Sequence, residues 1–313
     1  MIAIRTVRLA ACTFLILAAG VGGIGAQSVK YVTLSPKSIR ANYDSTLEAA
    51  TTVTATLSID KGSTELAYYV SFDPAPSGRL VTSGSASLPY EIYDSAIAPR
   101  TVLLDVVSAT SPDSLLSGVF PVPAKNRAPT ADRTFALVVM PGGFAPAGTY
   151  AGSVVVTLWS GLFKSGTYMG EALLDLVVTV RDILDVVLVP VDAPFDYSAT
   201  NVMMDFGFLT AGDLRSLDLI ARANTTYGLS LSSANGGILK NTDVLDTSTI
   251  GYELLVNGSP LVLAPGANVA LASGAAATSA SGVRYRLDTR ILPFDFPSEG
   301  TYTDILTVTI SKN

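Results

Sequence analysis

Between Thr51 and Ile59 the chain alternates: Val53, Ala55, Leu57 and Ile59 are set against Thr52, Thr54, Thr56 and Ser58. A period of two sends alternate side chains to opposite faces, so the stretch predicts a strand with one buried face. Similar segments recur. Lys30–Ser35 alternates up to Pro36, and Ala67–Phe72 runs into the turn-rich Asp73–Gly78. Leu88–Tyr93 and Thr101–Leu104 follow, then a polar, Pro-rich loop from Pro121 to Thr130. Phe135–Met140 is continuously apolar, which predicts burial on both faces. Leu214–Ile220, Tyr227–Leu231 and Ile250–Val256 carry the pattern through the second half. Ala234-Asn235-Gly236-Gly237 reads as a turn, and Asn257-Gly258 as a two-residue hairpin turn. A helical period is nowhere sustained.

One strand-like phrase occurs twice. Gly148-Thr149-Tyr150 opens the run to Leu158, and Gly300-Thr301-Tyr302 opens the run to Ile310. Pairing Tyr69 with Tyr227, Tyr90 with Tyr252 and Tyr150 with Tyr302 gives separations of 158, 162 and 152 residues. Landmarks in one order at similar spacing predict a duplicated β domain, over 27–181 and 182–313. The copies end differently. After Leu158 come Trp159-Ser160-Gly161, a bare Gly166-Thr167-Tyr168 and a further strand, Ala172–Val180. After Ile310 only Ser311, Lys312 and Asn313 remain. The first domain is therefore expected to close itself and the second to lack its final strand. An open sandwich leaves unpaired backbone groups and an apolar groove, which an added strand would satisfy. Leu306, Val308 and Ile310 share one face of the last run and are the candidate groove lining.

Composition narrows the function. Residues 1–26 read as a secretory leader: Arg5 and Arg8, an apolar stretch from Leu9 to Gly20, then small residues to Gly25-Ala26. The alternative is an uncleaved anchor, but the apolar core is shorter than the ~20 residues of a spanning helix. Leu9-Ala10-Ala11-Cys12 resembles a lipidation site but lacks a preceding apolar segment. Cys12 is the one cysteine and would leave with the leader, removing disulfides and thiolate chemistry. There is no His, the commonest general base and metal ligand. Loss of Arg5 and Arg8 takes the formal charge from −6 to −8, since residues 1–26 contain no Asp or Glu. Without a Lys/Arg cluster, that balance argues against nucleic acid and anionic membrane surfaces. No cofactor or metal is expected. The carboxylate pairs Asp182/Asp185, Asp213/Asp218 and Asp243/Asp246 read as turn and strand-end residues, so an enzyme is not expected.

The residues resemble a known family. Tyr69-Val70-Ser71-Phe72, Leu88-Pro89-Tyr90-Glu91-Ile92-Tyr93-Asp94 and Pro146-Ala147-Gly148-Thr149-Tyr150 are similar to a spore coat protein U domain. So are Met204-Asp205-Phe206-Gly207, Tyr227-Gly228-Leu229-Ser230-Leu231, Ile250-Gly251-Tyr252 and Gly300-Thr301-Tyr302-Thr303-Asp304. The resemblance implies two tandem immunoglobulin-like, pilin-type sandwiches in a subunit of an archaic chaperone–usher pilus. Two-domain members resemble tip adhesins, with a complete N-terminal domain and a C-terminal domain that accepts a donor strand. It implies a periplasmic chaperone, an usher and a neighbouring pilin as partners, a surface receptor, and a route through the periplasm to the cell surface. Many family domains carry a disulfide, which this chain without its leader would lack.

The N-terminus points the same way, since only Gln27, Ser28 and Val29 precede the first strand and leave little donor extension. The alternative is that Val29–Leu34 is itself a donor. Tyr150 and Tyr302 read as corner tyrosines fixed through their hydroxyls. Phe144, Leu162 and Phe163, with Trp159 beside them, are candidate adhesive loop tips or buried packing residues. A secreted carbohydrate-binding or coat module is the rival function, and it would need an aromatic platform on one sheet face.

Overall fold

The structure, a computed structural model, describes residues 2–8, 31–45, 47–74, 78–122 and 127–313. Its strands in chain order begin with β1 (Ile2–Arg8), β2 (Val32–Ser35), β3 (Ser38–Tyr43), β4 (Ala49–Ser58), β5 (Ala67–Pro74), β6 (Leu80–Ser83) and β7 (Ala86–Tyr93). Then come β8 (Leu116–Val119), β9 (Thr130–Val139), β10 (Gly148–Ser160), β11 (Thr167–Val180), β12 (Leu184–Val189), β13 (Asn201–Met204) and β14 (Leu214–Ala223). The last are β15 (Tyr227–Ser233), β16 (Ile238–Asn241), β17 (Thr249–Val256), β18 (Ser259–Leu261), β19 (Asn268–Ala275), β20 (Val283–Ile291) and β21 (Tyr302–Lys312). A single 3-10 turn, Pro112–Ser114, is the one helical element among the described residues. The chain divides into two compact units at Arg181/Asp182, with β1 joining the second.

In the first unit β2-β4-β9-β7 forms one layer and β10-β11-β3 the other, with β5 and β8 beside β10. β6 pairs with β7 on one side and β10 on the other, linking the layers. The alternating apolar residues of β4 enter one core with Phe72, Tyr90, Phe135, Tyr150, Val154, Val156 and Leu158. The second unit repeats this plan, with β12-β14-β20-β17 as one layer and β16 as the link to β21. Its core holds Leu219, Tyr227, Leu229, Leu231, Tyr252, Leu287, Leu306, Val308 and Ile310. The architecture is all-β, two tandem pilin-type sandwiches. Asn257 and Gly258 both have positive φ, as a two-residue hairpin turn between β17 and β18 requires.

Three expectations change. Thr101–Leu104 makes one isolated bridge, Val102 to Tyr93, while Leu103 plugs into the core as loop. The tyrosine equivalent to Tyr227 is Tyr68: Tyr68 lies opposite Ser160 of β10, and Tyr227 lies opposite Lys312, the corresponding end of β21. One residue of slip exchanges the faces of a strand. Tyr68 accordingly belongs to the main core, whereas Tyr69 lies outside it with Trp159, Ala109 and Leu115. Finally, residues 2–8, inside the expected leader, form a strand of the second unit, so that unit does not stand one strand short here. The rest of the expected leader, with Cys12 and the cleavage point Ala26–Gln27, lies outside the described residues, as does Val29 of the alternative donor segment.

Candidate functional site

The two units differ at one lane. In the first, β10 and β3 are bridged by β11, which runs antiparallel to β10 and parallel to β3. Six residues, 161–166, separate β10 from β11, so the closing strand is local. Leu174, Leu176, Val178 and Val180 of β11 are buried in the core. In the second unit the corresponding lane lies between β21 and β13. No strand of 182–313 fills it; β1 does, parallel to β21 and antiparallel to β13. The same lane thus holds strands of opposite direction in the two units.

Leu306, Val308 and Ile310 are fully buried on one face of β21, as period-two alternation requires. Their register partners in the lane are Ile4, Thr6 and Arg8. On the other side they lie opposite Ser233, Leu231 and Leu229 of β15. Any strand in the lane is therefore level with three aliphatic positions of the core.

The mouth of the lane, where Ile2 lies level with Met204 and Asp304, carries a polar cluster that the sequence pattern did not single out. Asp304 is buried and accepts four hydrogen bonds: from Ser233 Oγ (2.6 Å), the Tyr252 hydroxyl (2.6 Å), Asn235 N (3.0 Å) and Ile305 N (2.7 Å). Ser233 Oγ in turn accepts from Gly236 N (2.6 Å) and Gly237 N (3.0 Å), which pins the Ala234–Gly237 turn. Burial, then the Asp304 carboxylate, push the Tyr252 hydroxyl far above its ordinary range. The equivalent position in the first unit, counted from the corner tyrosine, is Gly152. A Cβ there would lie 3.0 Å from the Leu80 carbonyl oxygen, so a side chain would need the neighbouring backbone to shift. The only sequence signal for Asp304 was an acidic residue at an inward position of a strand.

Both corner tyrosines act through their hydroxyls. Tyr150 donates to Pro146 O (2.9 Å) and Tyr302 to Ser298 O (2.8 Å), each four residues back. A cleft of about 490 Å³ opens at the second corner, lined by Asp205, Phe208, Leu209, Ile250, Phe294 and the 297–302 segment.

The loop candidates do not form one tip. Phe144 precedes β10, while Leu162 and Phe163 follow it, so they lie at opposite ends of a 13-residue strand, some 40 Å at ~3.3 Å per residue. Phe144 is half-buried in a cleft with Tyr43 and Met140. Phe163 packs edge-on against Tyr69 (6.1 Å between centroids), with the Lys164 ammonium 5.2 Å from its ring. Leu162 alone projects, 70% exposed. Trp159 stacks on Tyr69 (6.0 Å) and donates from Nε1 to Ser71 Oγ (3.1 Å). Tyr168, half exposed, meets Trp159 edge-on at 5.8 Å.

Among the described residues no group of three or more His, Cys, Asp or Glu is placed to hold a metal ion, and no helix is long and apolar enough to cross a membrane.

No family model matches the chain, and no curated protein matches it. Among solved structures it is similar to the CsuC–CsuE chaperone–tip adhesion subunit pre-assembly complex from archaic chaperone-usher Csu pili of Acinetobacter baumannii. Identity is 16%, over 87% of this chain and 97% of that one, at a TM-score of 0.43. It is similar to the CupB6 tip adhesin of Pseudomonas aeruginosa at 12% identity over 84% and 91% of the two chains, TM-score 0.35. It is also similar to the CssB subunit complemented with a donor strand from CssA of enterotoxigenic Escherichia coli. There identity is 20% over 48% and 97%, TM-score 0.27. The fold rests on the topology above and not on these likenesses.

Proposed function

We propose that this chain is a non-enzymatic subunit of a surface fibre, of the chaperone–usher kind, whose second unit accepts a strand from a partner protein. One observation carries the reading. The lane that β11 fills locally in the first unit is filled in the second by residues from outside 182–313. In this reading residues 1–26 are a secretory leader, and their removal vacates the lane. A periplasmic chaperone then supplies the strand, with an usher and a neighbouring pilin following in the fibre. Strand addition satisfies the backbone groups of β21 and β13 and covers Leu306, Val308 and Ile310. The first unit, closed by its own β11, is free to carry adhesion, with Leu162 the exposed one of its three loop candidates.

The test is isolation of the leader-processed chain from the periplasm with and without a co-expressed periplasmic chaperone of the chaperone–usher class. The chain alone should aggregate or be degraded and the co-expressed chain should persist as a one-to-one complex. A stable processed monomer, with β21 amides protected from exchange without any partner, would refute the reading.

A second reading has one observation in its favour. Trp159 and Tyr168 form an aromatic pair on the outer face of β10–β11, with Glu171 opposite Thr157 one step along. Exposed aromatic rings with a polar neighbour on one sheet face are what a carbohydrate-binding module would use. Glycan-array binding lost on Tyr168→Ala, without change in folding, would favour it.

A further inference from the structure

A strand lying parallel to β21 delivers its ends to fixed places. In the lane, Ile2 stands level with Met204 of β13 and Asp304 of β21. Beyond Met204 the flanking backbone is Asp205–Leu209. Before Asp304 it is Gly300–Thr303. These two segments are opposite walls of the cleft of about 490 Å³, which Ile250, Phe294 and Pro297 complete. Residues that precede the paired stretch of a parallel strand therefore run into the cleft, whereas residues that follow it leave past Ile310 at the far end.

The cleft is built to take side chains. Its lining is mixed, with Leu209, Ile250, Phe294 and Pro297 beside Asp205, Ser298, Glu299 and Thr301, and Phe208 in its wall stands in solvent, 99% exposed. Phe296, next in sequence to the lining residue Pro297, is 100% exposed on a loop backbone at φ 38, a conformation that β-carbon-bearing residues seldom adopt. An exposed ring in the wall of a cleft marks an interaction surface. The rim is acidic, with the exposed Asp205 and Glu299 on opposite walls. Two cations flank it: Arg215, whose guanidinium lies 5.5 Å from the Phe206 centroid and donates to the Asp205 backbone carbonyl, and the exposed Lys240, which lies opposite Thr303.

We propose that this cleft is a second recognition site for the partner, and that it takes the residues preceding the paired stretch of a strand docked parallel to β21. The occupant it fits is an apolar residue next to a Lys or Arg, the first covered by Phe208 and Phe294, the second facing Asp205 and Glu299. The proposal rests on the strand-acceptor reading and adds to it a direction and a side-chain preference outside the lane.

The test is site-specific photo-crosslinking in cells that assemble the protein, using the full-length gene. A benzoyl-phenylalanine at Met203 reports the lane, because Met203 faces outward from β13 opposite Ala3 and is 58% exposed. The same probe at Phe208 reports the cleft. The expected result is adducts from both positions to one partner strand, the Phe208 adduct mapping N-terminal to the Met203 adduct on a segment with a basic residue. A Met203 adduct with none at Phe208, or with the Phe208 adduct C-terminal to it, overturns the cleft proposal and leaves strand addition standing. No partner adduct at Met203, or an adduct only to residues 2–8 of the chain itself, overturns both. Phe208→Ser, at an exposed position in the cleft wall, should raise the dissociation rate of the isolated complex about tenfold, the scale of partly burying one large ring. An unchanged rate also overturns the proposal.

Discussion

Replacing Asp304 by Asn keeps the shape of the side chain and removes one acceptor oxygen. The four donors around Asp304 restrict where the new amide nitrogen can go. In the Oδ1 position it would face the backbone N–H groups of Asn235 and Ile305, neither of which can accept. In the Oδ2 position it would face Ser233 Oγ and the Tyr252 hydroxyl. Tyr252 can turn to accept, but the Ser233 lone pairs are already taken by Gly236 N and Gly237 N. The better placement therefore takes the acceptor from two buried hydroxyl hydrogens, those of Ser233 and Tyr252, at about 1–3 kcal/mol each, and weakens the surviving bonds by removing the charge. Asp304→Asn should destabilise the second unit by about 3 kcal/mol. That corresponds to roughly 10 °C for a domain of this size. The assay is denaturant and thermal unfolding of the full chain, with hydrogen exchange assigning the loss to 182–313. Tyr252→Phe should cost about 1 kcal/mol. The two substitutions should couple in a double-mutant cycle, because they share a bond. A loss below about 1 kcal/mol for Asp304→Asn would refute the account of the network.

Removing either corner hydroxyl should cost about 1 kcal/mol in its own unit. Tyr302→Phe should cost more than Tyr150→Phe, because the Tyr302 hydroxyl also meets Ser248 Oγ at 2.6 Å. Chemical denaturation of the two variants decides this. Leu306→Ala should cost 2–5 kcal/mol, whereas Ile305→Ala on the outer face should cost under about 1 kcal/mol. Equal losses in unfolding measurements would contradict the assigned faces. Asp218 is buried; burial pushes its carboxyl up, yet hydrogen bonds from Asp192 N, Arg284 and Arg286 hold it below the usual carboxylate range. A depressed folded value contributes stability above the ordinary carboxylate pKa and loses it as pH falls through the folded one. Asp218→Asn should therefore flatten the acid limb of the stability–pH curve, and an unchanged limb would rule out the assignment.

Much of the fold follows from period two alone. The alternation of Thr51–Ile59 places Val53, Ala55 and Leu57 in the core, and the apolar run of β9 is buried from Phe135 to Val139. The Asn257-Gly258 turn and both corner tyrosines are local signals, and they hold because their partners are a few residues away. Register is less local. Tyr68 and Tyr69 are adjacent rings, and which of them faces the core depends on the pairing of β5 with β10 across some 90 residues of chain. Thr101–Leu104 has strand composition, yet it finds one bridge and spends Leu103 as a plug. Leu306, Val308 and Ile310 could be placed on one face from spacing. The filling of their lane by β1 could not, because nothing in Ile2–Arg8 distinguishes a leader from a strand except what lies beside it.

The two closing strands also differ in how far the chain must travel to place them. β11 reaches β10 across a six-residue turn, whereas β1 reaches β21 across roughly 290 residues. Loop-closure entropy grows with the logarithm of that length, which puts the second closure at a disadvantage of roughly 3 kcal/mol. The first unit can thus zip shut as soon as its own residues are available, while the second must wait for nearly the whole chain. During that wait the edges of β21 and β13 are open to whichever strand arrives first. In the strand-acceptor reading proposed above, the order of folding, as much as the final contacts, would leave the second unit receptive to an outside strand.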